Sequence, residues 1–316
     1  MLTLRQLRSF RTLSETLHFG EAARRLNISQ PALSAQIAAM EESFGGLLFE
    51  RRPSGVTMTQ SGEAIVERVR SILTDVEDLE GLGAPSGVVL AGRLRLGLIA
   101  TVAPYLLPPL LGRLGREHPG LDIAIRESLT RVLVSDVLAG ELDCAVVALP
   151  VGEDRLSTID LFEDRFHLAI PATDTARFAG GRVPVGALAG ERLILLEEGH
   201  CLREQALKVC QLVENTRFSG LGATSLSTIL RMVAGGLGAT LIPDMAVEVE
   251  TAAGGIEVLA FQDPVPSRRL VLIHRPTTTR RGDFEALAGI LREVRLPDPD
   301  APARDGASRA SRACVG

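Results

Sequence analysis

Cys201 and Cys210 sit nine residues apart in the run Leu195-Leu-Glu-Glu-Gly-His-Cys-Leu-Arg-Glu-Gln-Ala-Leu-Lys-Val-Cys210. A thiol can act as nucleophile, metal ligand or redox centre, and its neighbours decide which. The residues between the two are good helix formers, and Glu204 stands four ahead of Lys208, the order that supports a helix. Over a continuous helix, nine steps of about 100° put the sulfurs on opposite faces and about 13.5 Å apart along the axis. A disulfide needs Cα atoms roughly 4.4–6.8 Å apart, so these two can join only if the helix unwinds. That mismatch suits a redox switch. It equally describes two unrelated buried thiols.

Surroundings distinguish the pair. Cys201 falls at a helix start beside His200, a place that favours a thiolate, while Glu197 and Glu198 work against it. Cys210 aligns with Ala206, Val209 and Val213 on an apolar helix side, as a protected thiol would. Two hydroxyls belong with them: Thr101 and Thr130 each follow a strand and precede a helix. There a hydroxyl and unbonded backbone N–H groups can hold a small polar ligand, although ordinary helix capping gives the same placement.

The elements that must carry these groups divide the 316-residue chain into unlike parts. Leu4, Leu7, Phe10, Leu13 and Leu17 recur at helical spacing, His18-Phe-Gly20 interrupts, and a short helix follows over Glu21–Leu26. Ser29 is a good N-cap with Pro31 in the first turn, and the third helix is expected to bury Leu33, Ile37, Met40 and Phe44. Its first turn is small and polar, which is what a major groove admits; Gln30 can reach a base edge and Ser34 a base or a phosphate. Phe49 to Thr59 reads as a two-stranded wing with Arg51 and Arg52 at its base. Over residues 1–60 seven arginines face five glutamates, leaving +2, so the rest of the chain carries −7 of the net −5. A helical bundle without DNA could share these spacings.

Ile65, Val69, Ile72, Val76 and Leu79 then alternate at four and three, a seam that pairs two chains or packs one helix on its own domain. Gly81, Gly83, Pro85 and Gly87 mark a linker. From Arg93 onward short apolar strands alternate with helices, as in α/β domains, with strands expected at Phe166–Ile170 and elsewhere and a helix over Cys201–Val213. The fold class is α + α/β. Four cysteines make no disulfide framework, Met1–Leu13 interleaves arginines with its leucines unlike a secretory signal, and 18 apolar residues never run together. The expectation is a cytoplasmic protein with reduced thiols and no membrane partner. Cys144 is expected in a strand core and Cys314 in a Pro-, Asp- and Arg-rich tail over 297–316, whose composition predicts disorder.

Phe19-Gly-Glu-Ala-Ala-Arg-Arg-Leu-Asn-Ile-Ser-Gln-Pro-Ala-Leu-Ser-Ala-Gln-Ile, followed by Leu48-Phe-Glu-Arg51, resembles the winged helix-turn-helix of LysR-type transcriptional regulators. The order of later elements resembles that family's effector domain, two periplasmic-binding-protein-like α/β lobes joined by crossing strands. Gly97 to Pro108, the Gly-His-Cys-Leu motif at 199–202 with a second Cys nine on, Ala223-Thr-Ser-Leu226 and Ile242-Pro243 are similar to its hydrogen-peroxide-sensing branch. Two positions depart from the pattern: Phe44-Gly45-Gly46 stands where Leu-Gly is usual, and Gly222 where Arg is common.

The resemblance implies a DNA-binding domain over 1–60, a linker helix for dimerisation and a hinge over 61–90, and a redox-sensing effector domain over 91–296. It implies that Ser29, Gln30, Pro31, Ala32, Ser34, Arg51 and Arg52 lie at or near DNA. Cys201 would be the peroxidatic thiol and Cys210 the resolving one. Thr101, Thr130, His200 and Arg269 would line the peroxide pocket, with Arg268 as the adjacent alternative. It implies no cofactor and no metal, and a regulator rather than an enzyme, activator or repressor by redox state. Its partners would be double-stranded operator DNA, hydrogen peroxide, a homodimer or homotetramer, the alpha subunit of RNA polymerase and a thiol reductant.

Two rival functions share these residues. The same DNA reader could take a small metabolite in the effector cleft, or the thiols could serve a peroxidase that turns over. The first 90 residues would have no task in a peroxidase. A thiol count before and after one equivalent of peroxide separates the metabolite reader.

Overall fold

A computed structural model describes residues 1–52, 55–81, 89–178, 182–210 and 217–295. Gly83, Pro85 and Gly87 of the linker, the helix extension to Val213, and the tail with Cys314 lie outside the described residues.

The first domain is built on helix ends that the sequence caps well. In α1 (Leu4–Thr16) the Thr3 hydroxyl accepts from the Gln6 N–H while the Gln6 side chain reaches back to the Thr3 N–H. α2 (Phe19–Arg25) starts earlier than expected, because the His18 ring accepts from the Glu21 N–H and makes Phe19 and Gly20 its first turn. α3 (Gln30–Phe44) is capped by Ser29, which accepts from the Ala32 N–H at 3.3 Å. Phe10, Leu13, Leu33, Ile37 and Met40 form the shared core. Phe44 does not join it: it is 44% exposed at the last turn, where Gly45 in the left-handed region ends the helix. The wing, β1 (Phe49–Arg52) against β2 (Gly55–Met58), is tied to α3 by the Glu41 carboxylate, which accepts from the Leu48 and Phe49 N–H groups.

α4 (Gln60–Gly81) resolves the ambiguity of its seam in part. Val66, Val69 and Leu73 turn inward onto the first domain's core, so Val69 does not stand on an outer stripe. Leu79, further along, is 66% exposed. At Thr74 the helix touches the second half of the chain: the Thr74 hydroxyl donates to the Ala139 carbonyl at 3.0 Å. Gly140, at φ +76°, approaches so closely that a Cβ there would overlap the Thr74 side chain.

The second half runs β3 (Gly92–Ile99), α5 (Ala103–Glu117), β4 (Leu121–Ser128), α6 (Thr130–Leu138), β5 (Cys144–Ala148), β6 (Ser157–Pro171), β7 (Arg182–Val183), β8 (Arg192–Leu196), α7 (Cys201–Cys210), β9 (Arg217–Ala223), α8 (Leu226–Ala234), β10 (Thr240–Pro243), α9 (Asp244–Thr251), β11 (Ile256–Phe261), β12 (Ser267–His274) and α10 (Arg281–Arg295). β3 pairs in parallel with β4 and β5. β6 crosses between two apolar cores, with Leu161 in one and Phe166, Leu168 and Ile170 in the other, and pairs antiparallel with β12. One core gathers β3, β5, α5 and α10; the other gathers β8, α8, β10 and β11. β6 is three times the length expected, since its first half carries Asp160, Glu163, Asp164 and Arg165 and lacks an apolar run. Of those charges, Asp164 pairs with Arg268 and Asp160 with Arg269 on β12.

Candidate functional site

α7 is helical from Cys201 to Cys210, so the two sulfurs stand at its opposite ends and no disulfide joins them. At 1.5 Å per residue the nine steps again give about 13.5 Å. The turn into α7 depends on Gly199, whose φ of +94° is a backbone conformation that side chains disfavour. A Cβ there would also press to 3.0 Å from Leu129. The turn is also tied by Arg203, whose guanidinium donates to the Leu196 carbonyl at 2.9 Å.

The two thiols meet different surroundings. Cys201 is half-buried and packs against the first core, whereas Cys210 is 3% exposed within the second. Burial pushes the Cys210 thiol up to about 11, so it is protonated at neutral pH. Cys144 is fully buried in β5, and burial raises its thiol too.

Two cavities open on Cys201. The smaller, about 10 Å³, is lined by Ile99, Thr101, Leu129, Thr130, His200 and Cys201 among others. That is room for one water-sized molecule. The larger, about 540 Å³, is lined by Thr130, Arg131, Leu149, Cys201, Gln205 and Lys208 among others. The Thr130 hydroxyl is buried with no hydrogen-bond partner among the described residues, and so is the Gln205 side-chain carbonyl. His200 is 9% exposed, and burial lowers its ring below the usual histidine range, with Glu197 pulling the other way. It is neutral at pH 7 and keeps one N–H to donate.

Neither threonine caps a helix. The N-cap positions of α5 and α6 are Val102 and Leu129, and neither makes a side-chain cap bond. The Thr101 hydroxyl instead accepts from Arg268 at 2.8 Å. Here the expectation for Arg269 needs correcting. Arg269 points outward and pairs with Asp160 at 2.6 Å, while Arg268 is buried and reaches Thr101. Adjacent residues on a strand face opposite ways, so only one of the two could turn inward. Asp164, which holds Arg268, has no signal in the sequence: it is one of three acids, with Asp160 and Glu163, in a single charged stretch.

A second polar surface lies on the first domain. Ser29, Gln30 and Pro31 are exposed and Ala32 and Ser34 half-buried along the first turns of α3. Arg51 of the wing joins them, donating to the Ser34 hydroxyl at 2.9 Å with its guanidinium 4.0 Å from the Phe19 ring centre. Arg52 is turned aside onto Glu50 at 2.7 Å. Among the described residues no cluster of His, Cys, Asp or Glu could hold a metal ion, and no helix is long and apolar enough to cross a membrane.

Comparison with known proteins matches residues 4–63 to the bacterial regulatory helix-turn-helix protein family, lysR type, and residues 89–295 to the LysR substrate binding domain. A probable hydrogen peroxide-inducible genes activator from Streptomyces viridosporus is 40% identical, over 96% of this chain and 97% of that protein. A cysteine variant of full-length OxyR from Pseudomonas aeruginosa superposes with a TM-score of 0.79 at 36% identity, covering 92% of this chain and 95% of the other. A hydrogen-peroxide-bound cysteine mutant of OxyR from Corynebacterium glutamicum gives 0.63 at 33% identity, covering 92% and 94%.

Proposed function

The chain belongs to the LysR family of bacterial regulatory proteins, and from that premise we propose that it binds operator DNA and senses hydrogen peroxide through Cys201. It is a transcriptional regulator of oxidative-stress genes, like the OxyR proteins it resembles over nearly its whole length. The observation that carries this reading is the cavity of about 10 Å³ in which Cys201 meets two threonines and a neutral histidine. It suits a molecule of peroxide's small size and is too small for an organic effector, which would need the larger cavity beside it.

The chemistry follows from those groups. The Cys201 thiolate attacks one peroxide oxygen; the S–O bond forms as the O–O bond breaks, and sulfur gives up two electrons. The released hydroxide takes a proton and leaves as water, with the threonine and histidine donors stabilising the charge that builds on it. Cys201 is left as a sulfenic acid. Attack by Cys210 sulfur then forms the disulfide and expels the second oxygen as water. For this step α7 must unwind, which exposes Leu202 and Val209 at a cost of roughly 3–6 kcal/mol at 1.5–3 kcal/mol per buried side chain. The reduced arrangement therefore persists until the S–S bond holds the other. The refolded segment would change how the effector domains pair and so the spacing of DNA half-sites.

Ser29, Gln30, Pro31, Ala32, Ser34 and Arg51 form the face we assign to the major groove and its backbone, with Arg52 joining only if it leaves Glu50. The protein acts as a homodimer or homotetramer in the cytoplasm, contacts the alpha subunit of RNA polymerase, and is reset by a thiol reductant. The footprint of reduced and oxidised protein on its own upstream region tests the reading: a changed footprint length is expected. An identical footprint after oxidation contradicts it.

The larger cavity supports a second reading, a metabolite held by Gln205, Arg131 and Lys208. In that case Cys201→Ser would leave the regulator's response intact.

A further inference from the structure

Arg268 and Asp164 form an ion pair with side chains 0% exposed, on facing positions of the paired strands β12 and β6. A wholly buried pair of charges is a poor source of stability, because desolvation offsets most of the attraction. Its geometry suggests another use. Arg268 donates from Nη1 to the Thr101 hydroxyl at 2.8 Å and from Nη2 to the Thr101 carbonyl at 3.1 Å. Asp164 holds the guanidinium from behind: Oδ2 accepts from Arg268 Nε at 2.9 Å, and Oδ1 accepts from the Met245 N–H at 3.1 Å. Both carboxylate oxygens are thus committed, one to the arginine and one to the start of α9.

A hydroxyl that accepts from a fixed guanidinium has its own proton left to give. Thr101 lines the small cavity together with Cys201. Arg268 cannot accept a hydrogen bond, so Thr101 has no choice of role toward it. We propose that Asp164 is a positioning residue for peroxide reduction at Cys201, acting through Arg268 to hold the Thr101 hydroxyl as a donor into the small cavity. This rests on the peroxide reading above. The Thr101 proton bonds to the oxygen that departs as hydroxide, so the donor matters most when the O–O bond breaks and charge collects there.

Asp164→Asn is the informative change. An asparagine has one acceptor oxygen and one donor nitrogen, so it can satisfy Arg268 or the Met245 N–H but not both. Two rates are measured on the full-length reduced protein at one pH: sulfenic acid formation at Cys201 with hydrogen peroxide, and alkylation of Cys201 by iodoacetamide. Alkylation needs the thiolate and no donor for a departing hydroxide. Asp164→Asn is expected to slow the peroxide reaction about tenfold or more, a fraction of the loss typical when a transition-state donor is removed outright, and to leave alkylation within about twofold. In a Thr101→Val background the same substitution should have no further effect on the peroxide rate, since the group it positions is gone. Unchanged peroxide rates, or both rates falling in parallel, overturn the proposal. Should Asp164→Asn fail to fold, Arg268→Lys tests the same point, because it keeps the charge and loses the forked contact to Thr101; the same selective loss is expected. If the unaltered protein itself makes no sulfenic acid at Cys201, the peroxide reading fails first and this one with it.

Discussion

The two ends of α7 differ in almost everything except the residue type they carry. At one end Cys201 is half-buried against the first core, faces two cavities and stands beside a neutral histidine. At the other, Cys210 is sealed in the second core with its thiol raised to about 11. One helix therefore spans two hydrophobic units and holds a reactive group in one and an inert group in the other. A sensor gains from that division, because the first oxidation step needs no rearrangement and the second cannot happen without one.

Removing either end should have unlike consequences. Cys201→Ser is expected to abolish the response to peroxide altogether while reduced-state DNA binding persists, as read by footprinting. Loss of DNA binding in that variant would make Cys201 structural. Cys210→Ser should leave the sulfenic acid stranded: a dimedone label accumulates at Cys201, and peroxide is consumed within about twofold of the normal rate, since the first chemical step is untouched. In the unaltered reduced protein at pH 7, iodoacetamide should modify Cys201 more than about tenfold faster than Cys210, because burial and protonation both protect the latter. Peptide mapping after brief labelling decides it.

Smaller effects sharpen the first end of the helix. Thr130→Val removes a buried hydroxyl that lacks a partner and should raise stability by about 1 kcal/mol in urea denaturation. The same change should slow sulfenic acid formation, so a gain in stability would be bought with lost reactivity. His200 adds a dependence on pH. Its ring titrates below 6.5 when folded, so as pH falls below about 6.5 the unfolded chain takes up the proton first and stability declines. His200→Gln should flatten that part of the melting-temperature curve between pH 7 and 5.5, with a shift of a degree or two.

Much of this arrangement is legible from residue order, and the exceptions have physical reasons. The N-cap of α3, the wing and the helix between the thiols follow from local spacing, which needs no tertiary information. Phe44 fits the apolar stripe of α3, yet the helix ends there and leaves its ring beyond the core. Arg268 and Arg269 could not be told apart because Leu270 to His274 is buried on both faces, so the strand offers no alternation to set the phase. α9 was not anticipated at all: Asp244-Met-Ala-Val-Glu-Val-Glu-Thr carries too weak an apolar period. The unlike surroundings of Cys201 and Cys210 are legible from their neighbours, but their division between two separate cores is not, since spacing does not say which core a helix end meets. Thr101 and Thr130 read from sequence equally as helix caps or as ligand groups, and only the three-dimensional partners remove the first: Thr101 accepts from Arg268, and neither residue is an N-cap.

The central claim is that oxidation at one end of α7 draws the other end out of its core. Mapping the thiol state of Cys201 and Cys210 by mass spectrometry after one equivalent of hydrogen peroxide tests it directly. A single intramolecular bond linking peptides that contain Cys201 and Cys210 is the predicted result. Both thiols still alkylatable after the peroxide is spent would contradict the account.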